Sequence, residues 1–142
     1  MESLAPGATF GVEAQLLERR ETAYQSLELM ESPRFGKLMR LDGRFMTSER
    51  DEFFYHETLV HPAAMTHAQP RKALILGGGD GGAAEELLKY RGMEKVVLAE
   101  LDAEVIAVSK AHLQAVHRGA WDDPRLQVQV GDGMVYADQT EE

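Results

Sequence analysis

Hydrophobic and polar residues alternate in two different styles, one before and one after Gln69-Pro70. The first style predicts short antiparallel strands, because apolar and polar positions alternate in residues 26–31 and 37–41. Residues 37–41 and 44–47 flank Asp42-Gly43, a dipeptide typical of tight hairpins. After Gln69-Pro70, short apolar runs alternate with helical patterns, which predicts a parallel sheet with right-handed crossovers. The pattern therefore predicts residues 1–68 as a β-domain with a linking helix and residues 69–142 as an α/β domain.

Two helices are predicted in the first part. Ser48 is followed three residues later by Asp51, a spacing typical of a helix N-terminus, so a helix is expected to begin there and to run to about Val60. A second helix is predicted over roughly 12–20.

The second part contains three predicted parallel strands, at residues 73–76, 96–99 and 126–130, with one helix beginning near Ala83 and another capped by Asp102. The first strand is apolar throughout, which is typical of a central strand covered on both faces. A central strand needs neighbours on both sides, and only two other parallel strands are predicted. The sheet is therefore expected to be unfinished, with a fourth strand expected where 138–142 end.

A glycine-rich loop, Gly77 to Gly82, joins the first of these strands to its helix. Its spacing satisfies G-x-G-x-x-G in the strand-turn-helix context that nucleotide-binding loops require. Glycines at such a turn, Gly79 among them, let the backbone approach a ligand closely. Asp80 inside the loop would repel a pyrophosphate but attract positive charge. The loop therefore favours a nucleoside with a cationic tail over NAD.

Acidic residues also follow the other two strands. Glu100 ends the second strand, where an acid in nucleotide-binding α/β units accepts hydrogen bonds from both ribose hydroxyls. Asp102 is better explained as a helix cap. Asp132-Gly133 follows the third strand; alone it would be an ordinary turn, but beside the other acids it is interpreted as an adenine site. Three acids at three strand ends favour an S-adenosyl-type pocket.

Composition and charge narrow the range of expected partners and cellular compartments. The chain has 142 residues, 44% of them hydrophobic, a net charge of −9 and no cysteine. The charge disfavours nucleic acid and anionic membranes as partners, and the lack of cysteine fits a reducing compartment. No apolar run reaches membrane-spanning length and no signal peptide is recognised at Met1 to Phe10, so a cytoplasmic location is expected. Five histidines without H-x-x-x-H spacing make a metal site unexpected.

An aromatic segment around Tyr55 and His56 lies on the predicted linking helix. Such aromatic residues usually belong to a core. Gln25 carries no signal of its own.

These motifs resemble the polyamine aminopropyltransferases, specifically bacterial spermidine synthases. The resemblance is carried by the segments around Gln25, 35–43, 47–57, 77–82, 100–102, 122–125 and 132–133. It implies a Rossmann-like, S-adenosylmethionine-dependent methyltransferase-type sheet, incomplete here, preceded by a small β-domain. It also implies a homodimer or homotetramer without metal or redox cofactor.

The resemblance further implies a role for each matched residue. Decarboxylated S-adenosylmethionine would be the co-substrate and putrescine the acceptor, giving spermidine and methylthioadenosine. Gln25, Gly79, Glu100, Asp132 and Gly133 would contact the nucleoside. Three more residues would lie on the substrate side: Tyr55, His56 and Asp80.

One departure from the family pattern concerns catalysis. The proton-accepting aspartate of the family lies in an Asp-x-x-Asp-Pro segment, which does not occur in these residues and is expected beyond Glu142. The chain therefore resembles the N-terminal portion of such an enzyme, and the 142 residues alone are expected to be inactive. Two alternatives stay open: a methyltransferase that uses intact S-adenosylmethionine, and a non-catalytic nucleoside-binding or assembly module.

Overall fold

The computed structural model describes residues 2–140. These residues divide into two compact units, one up to Glu52 and one from Phe53 onward. The first unit contains two antiparallel sheets. Its strands are β1 (Glu2–Ala5), β2 (Ala8–Phe10), β3 (Gln15–Glu21), β4 (Ser26–Ser32), β5 (Gly36–Leu41) and β6 (Arg44–Ser48). β1 pairs with β2, and the other four follow the order β3-β4-β5-β6. Along the chain the division between the units falls between Glu52 and Phe53, while the predicted domain boundary at 68/69 stays a prediction.

The predicted hairpin around Asp42-Gly43 is confirmed. Both residues have positive φ, 49° and 76°, as a type I′ turn requires. Asp42 also ties the turn to β4, because its Oδ1 accepts a 2.9 Å hydrogen bond from the Ser26 N–H. Alternate positions of β4, Leu27 and Leu29, are fully buried, which places one face of this sheet on a core.

The helix predicted over 12–20 is wrong, because these residues contain β3. β3 pairs antiparallel with β4, with Arg20 opposite Leu27 and Gln15 opposite Glu31. Charged helix formers in this segment favour a helix locally, but pairing with a neighbouring strand decides its structure.

The linking helix, α1 (Glu52–Thr66), exists but begins and ends later than predicted. Ser48 is the last residue of β6, and its hydroxyl hydrogen-bonds to the Asp51 carboxylate before the helix begins. The helix continues past Val60 although Pro62 lies inside it. Pro62 lacks an N–H and removes one helical hydrogen bond without ending the helix.

The second unit is an α/β layer built on a parallel sheet of order β7-β8-β9. Its elements are β7 (Lys72–Leu76), α2 (Gly82–Leu88), β8 (Lys95–Glu100), α3 (Ala103–His112), α4 (Gln114–His117), a short 3-10 helix (Ala120–Asp122), β9 (Leu126–Val130) and α5 (Gly133–Gln139). All three predicted strands are confirmed within a residue or two. The single helix predicted after Asp102 is divided at the buried Leu113 into α3 and α4.

Among the described residues β8 lies between two neighbours, while β7, predicted as a central strand whose second neighbour is missing, has one open edge. Val96 to Glu100 of β8 are all buried, whereas β7 lies at an edge with Leu74 and Leu76 40% and 52% exposed. The apolar composition of β7 fits covering on both faces, so its open edge agrees with the prediction of an incomplete sheet. An apolar groove between α1 and β7 follows this edge, lined among others by Leu59, Ala63 and Leu74.

No helix among residues 2–140 has both the length and the apolar character needed to cross a membrane. Within the same residues, no cluster of three or more His, Asp or Glu side chains is arranged to hold a metal ion.

Candidate functional site

The carboxyl ends of the three parallel strands are joined by backbone hydrogen bonds. The N–H of Gly77, just after β7, donates to the carbonyl of Ala99 at 2.8 Å. The N–H of Gly131, just after β9, donates to the carbonyl of Glu100 at 2.8 Å. These bonds hold the glycine loop and the β9–α5 connection against the end of β8, at the edge where open α/β sheets bind ligands.

The Glu100 carboxylate lies at the centre of this edge. It is buried, and Oε2 accepts a 2.9 Å hydrogen bond from the Gly79 N–H while Oε1 accepts a 3.0 Å bond from the Asp102 N–H. Each carboxylate oxygen has a second lone pair, so both can still accept a bond from a ligand. Glu100 is thus fixed in place as a bidentate acceptor.

Gly79 has no room for a side chain. A Cβ at this position would lie 2.9 Å from Val105 Cγ1 and 3.0 Å from Glu100 Oε2. The close approach of the loop to Glu100 therefore requires glycine at this position.

Asp80 is buried inside the loop. Its Oδ1 accepts a 3.1 Å hydrogen bond from the Gly82 N–H, and its Oδ2 lies 3.3 Å from His56 Nε2. The structure therefore brings Asp80 and His56 together, as two of the predicted substrate-side residues. Glu100 accepts from the Gly79 N–H and Asp80 is the next residue of the loop, so two carboxylates near Gly79 give this part of the loop a negative field.

His56 and Tyr55 have opposite surroundings although they are neighbours on α1. The His56 side chain is 3% exposed and packs against Gly82, whereas Tyr55 is 63% exposed. A Cβ on Gly82 would lie 2.3 Å from His56 Cε1, so the imidazole occupies the space of a side chain at the start of α2. Sequence reasoning treated these two residues as a pair; in the structure His56 contacts the loop, and Tyr55 is largely exposed.

A second histidine of α1 also meets an acid of the glycine-loop helix. His61 Nε2 lies 3.1 Å from Oε2 of Glu86, which is fully buried in α2, and Lys89 Nζ lies 2.6 Å from the same oxygen. Burial acts to raise the pKa of the Glu86 carboxyl, but the hydrogen bond to Lys89 and the Lys89 charge, together with a hydrogen bond to Glu85, outweigh it and lower the pKa. α1 is therefore attached to the loop and to α2 by two histidine–carboxylate contacts, which sequence spacing did not reveal.

Asp132 and Gly133 lie where the sequence places them, after β9. The exposed Asp132 caps α5, because its Oδ1 accepts from the Met134 and Val135 N–H groups at 2.8 and 3.4 Å. A Cβ on Gly133 would lie 2.9 Å from Leu76 Cδ2, so glycine allows α5 to begin close to β7. Contact of these residues with adenine stays a prediction.

Gln25 belongs to the first unit and lies in the turn before β4, not in the strand itself. Its N–H donates to Thr22 Oγ1 at 3.1 Å, and its carbonyl accepts from the Thr22 N–H at 2.9 Å. Its contact with a nucleoside stays a prediction.

Two side chains behind the loop were missed by sequence reasoning. His117 and Trp121 both lie against Gly81, 36 or more residues from it along the chain. No local pattern connects such distant positions; only the tertiary fold brings them together.

Comparisons with known families agree with this architecture. The family described as "Spermine/spermidine synthase domain" matches residues 52–142, and the one described as "Spermidine synthase tetramerisation domain" matches residues 5–49. The chain belongs to the spermine/spermidine synthase family.

Individual relatives are named polyamine aminopropyltransferases. A polyamine aminopropyltransferase of Nitrosomonas europaea is 52% identical over 137 residues, covering 96% of this chain and 42% of that protein. Another, of Thermococcus onnurineus, is 46% identical over 136 residues, covering 96% of this chain and 48% of that protein. This chain thus spans less than half the length of these relatives.

Solved structures support the fold. The spermidine synthase from Thermotoga maritima superposes with a TM-score of 0.83 at 38% identity, covering 86% of this chain and 43% of that one. A spermidine synthase in complex with the transition-state analogue AdoDATO matches with the same TM-score and identity, covering 86% of this chain and 42% of that one. The predicted incomplete Rossmann-like sheet, preceded along the chain by an N-terminal β-domain, is confirmed.

Proposed function

We propose that this chain provides the nucleoside-binding part of an enzyme that transfers an aminopropyl group from decarboxylated S-adenosylmethionine to putrescine, giving spermidine and methylthioadenosine. The observation that carries the proposal is the buried carboxylate of Asp80 inside the glycine loop. The same loop is hydrogen-bonded through the Gly79 N–H to a second fixed carboxylate, that of Glu100. The relatives named polyamine aminopropyltransferase support it.

Glu100 is the proposed ribose acceptor. Its two oxygens are held by the Gly79 and Asp102 N–H groups, so the free lone pairs have fixed directions before a ligand arrives. A preorganised carboxylate binds two vicinal hydroxyls with little loss of side-chain entropy. We place the adenine beside Asp132 and Gly133, and Gln25 on the nucleoside as well.

Asp80 is the proposed partner of the aminopropyl ammonium. A carboxylate that is already buried has been removed from water, and a cationic ligand offsets part of that cost when it binds. The carboxylate of intact S-adenosylmethionine would meet a like charge at the same place. Asp80 thereby favours the decarboxylated nucleoside over the methyl donor.

The acceptor amine is proposed to approach from the side of Tyr55 and His56. Its nitrogen forms a bond to the propyl carbon beside the sulfonium, the electron pair of the breaking C–S bond stays on sulfur, and the nitrogen loses one proton. Because sulfonium is a good leaving group, alignment and proton removal are the remaining tasks. We place the proton acceptor outside residues 1–142, so we expect no turnover from these residues alone.

We further propose a homodimer or homotetramer assembled through the first unit. The tetramerisation-domain match covers residues 5–49. Leu16 and Leu17 of β3 and Met46 of β6 are all exposed in this unit, as expected for side chains that a second copy covers.

The ligand preference of the unaltered chain tests the proposal. Isothermal titration calorimetry is expected to show decarboxylated S-adenosylmethionine binding about tenfold or more tightly than S-adenosylmethionine, because one ion-pair-assisted hydrogen bond is worth about 1.5–3 kcal/mol. Methylthioadenosine, which has no charged tail, serves as the neutral reference. Tighter binding of intact S-adenosylmethionine would favour a methyltransferase and contradict the proposal.

A further inference from the structure

The turn at Gly81 packs against the side chains of two aromatic residues, His117 through its Cβ and Trp121 through its indole ring. Gly81 has φ +82°, and a Cβ added to it would lie 2.8 Å from His117 Cβ and 2.9 Å from Trp121 Cζ2. The Gly81 backbone is therefore in direct contact with both side chains. No side chain caps α2 at this residue, so these contacts, with the Gly81 N–H bond to the Gly78 carbonyl at 2.9 Å, define the turn.

The chain segment that presents these rings is itself tightly bent. His117 ends α4, Arg118 and Gly119 follow with φ of 43° and 85°, and Trp121 lies in the 3-10 helix directly after them. A left-handed conformation at a non-glycine residue costs free energy and persists only where the surroundings enforce it. The bend brings the His117 and Trp121 side chains together, with ring centroids 6.1 Å apart.

The Trp121 indole is held in place by packing rather than by hydrogen bonding. Trp121 packs on the core cluster of Ala84, Leu98 and Ala120, and Lys110 Nζ lies 5.0 Å from the ring centroid. Its buried Nε1 has no hydrogen-bond partner among the described residues. A buried donor without a partner is unfavourable, so Trp121 stabilises this part of the fold through the size and packing of its ring.

His117 is held as a neutral ring. It is buried, and its Nδ1 accepts a 3.2 Å hydrogen bond from the Gly119 N–H. Burial lowers the pKa of its imidazole below the ordinary value, although the Lys110 backbone and Asp122 act in the opposite direction. A neutral His117 adds no positive charge that would weaken the field of Asp80.

We propose that Trp121 and His117 are positioning residues, which fix the Gly81 turn and through it the direction of the Asp80 carboxylate. Asp80 immediately precedes Gly81, and its Oδ1 accepts from the Gly82 N–H immediately after it. A shift of the turn therefore changes the position of Asp80 relative to Glu100. The part of this inference that concerns ligands rests on the proposed function.

Amide hydrogen exchange of the chain tests the positioning without any ligand. In Trp121→Ala, the Gly81 and Gly82 amides are expected to exchange about tenfold or more faster, whereas the Gly77 and Gly131 amides, bonded to Ala99 and Glu100, should change little. Trp121→Phe keeps an aromatic ring and should restore most of the protection, and it also serves if the alanine variant does not fold. A uniform rise at all four glycines would overturn the proposal, because it would mean only global destabilisation.

Leu126→Ala is the matched control. Leu126 packs on the same core cluster as Trp121, but none of its atoms is among the three nearest to a Cβ placed on Gly81. Leu126→Ala should accelerate hydrogen exchange equally at the four glycine amides. Selective acceleration at Gly81 and Gly82 in this variant too would overturn a specific role for Trp121.

Ligand binding then shows whether the Gly81 turn determines the direction of the Asp80 carboxylate. The affinity ratio of decarboxylated S-adenosylmethionine to methylthioadenosine is expected to fall severalfold in Trp121→Ala and to recover in Trp121→Phe. An unchanged ratio beside accelerated exchange would overturn the step from turn to Asp80. Failure of the proposed function itself is recognised separately, because the unaltered chain would then show no preference for the cationic ligand.

Discussion

Glu100→Gln is expected to weaken methylthioadenosine binding about tenfold to a hundredfold. The substitution keeps the size of the side chain but removes its charge, and charge-assisted hydrogen bonds contribute about 1.5–3 kcal/mol each. It also replaces one oxygen by an NH₂ group, which would face the N–H of either Gly79 or Asp102, because both oxygens accept backbone bonds. Two donors then oppose each other, so the loop or the amide must move.

Isothermal titration calorimetry measures this loss. Glu94→Gln is the matched control, because Glu94 has the same charge but lies on the exposed surface, where it pairs with Arg71. The affinity of Glu94→Gln for methylthioadenosine should equal that of the unaltered chain. Equal affinities in all three proteins would remove Glu100 from the ribose site.

Gly82→Ala is expected to have the second large effect. The new Cβ would lie 2.3–2.7 Å from three atoms of the His56 ring, and this ring is buried rather than free to swing away. Overpacking of this kind costs about 1–3 kcal/mol or more, even though alanine is the better helix former. His56 would also be displaced from Asp80, so both stability and cationic-ligand affinity should fall.

Urea unfolding and calorimetry on the same samples separate these effects. Gly92→Ala is the control for a glycine-to-alanine change, since nothing lies within 4 Å of its added Cβ. It should change stability by less than about 1 kcal/mol, and in the stabilising direction if at all. If Gly82→Ala behaves like Gly92→Ala, the contact between His56 and the start of α2 is not tight.

Local signals made part of the fold predictable. The Asp42-Gly43 hairpin depends on two adjacent residues with positive φ, and the glycine loop on one strand-turn-helix segment, so both could be predicted from short stretches. Asp102 was likewise assigned correctly as a helix cap, because its bond to the Glu104 N–H spans only two residues. Capping and turn chemistry are short-range effects.

Long-range contacts explain what the sequence could not provide. β3 was predicted as a helix, because its residues allow either structure and only pairing with β4 decides between them. Among the described residues β7 lies at the open edge of the order β7-β8-β9, so the neighbour that its apolar composition predicts on that side is not identified by the sequence pattern. Composition reports how much of a strand is buried in the whole fold, not its order in the sheet.

The candidate site shows the same division. Glu100 and Asp80 were predicted because each lies at a recognisable place in the strand-loop-helix motif. The contact between His56 and Asp80 crosses from α1 to the loop, and the support of Gly81 by Trp121 crosses from the 3-10 helix. Neither leaves a periodic pattern in the sequence, since each depends on how separate elements pack.

The charge selectivity of Asp80→Asn tests the central claim most directly. Binding of decarboxylated S-adenosylmethionine and of methylthioadenosine would be measured by calorimetry for the unaltered chain, for Asp80→Asn and for Asp138→Asn. The last variant removes the same charge from an exposed position on α5. We predict that Asp80→Asn weakens the cationic ligand about tenfold more than the neutral one, while Asp138→Asn leaves both unchanged. Equal losses for the two ligands in Asp80→Asn would contradict the account, because the loop carboxylate would then shape the turn without recognising the ligand's charge.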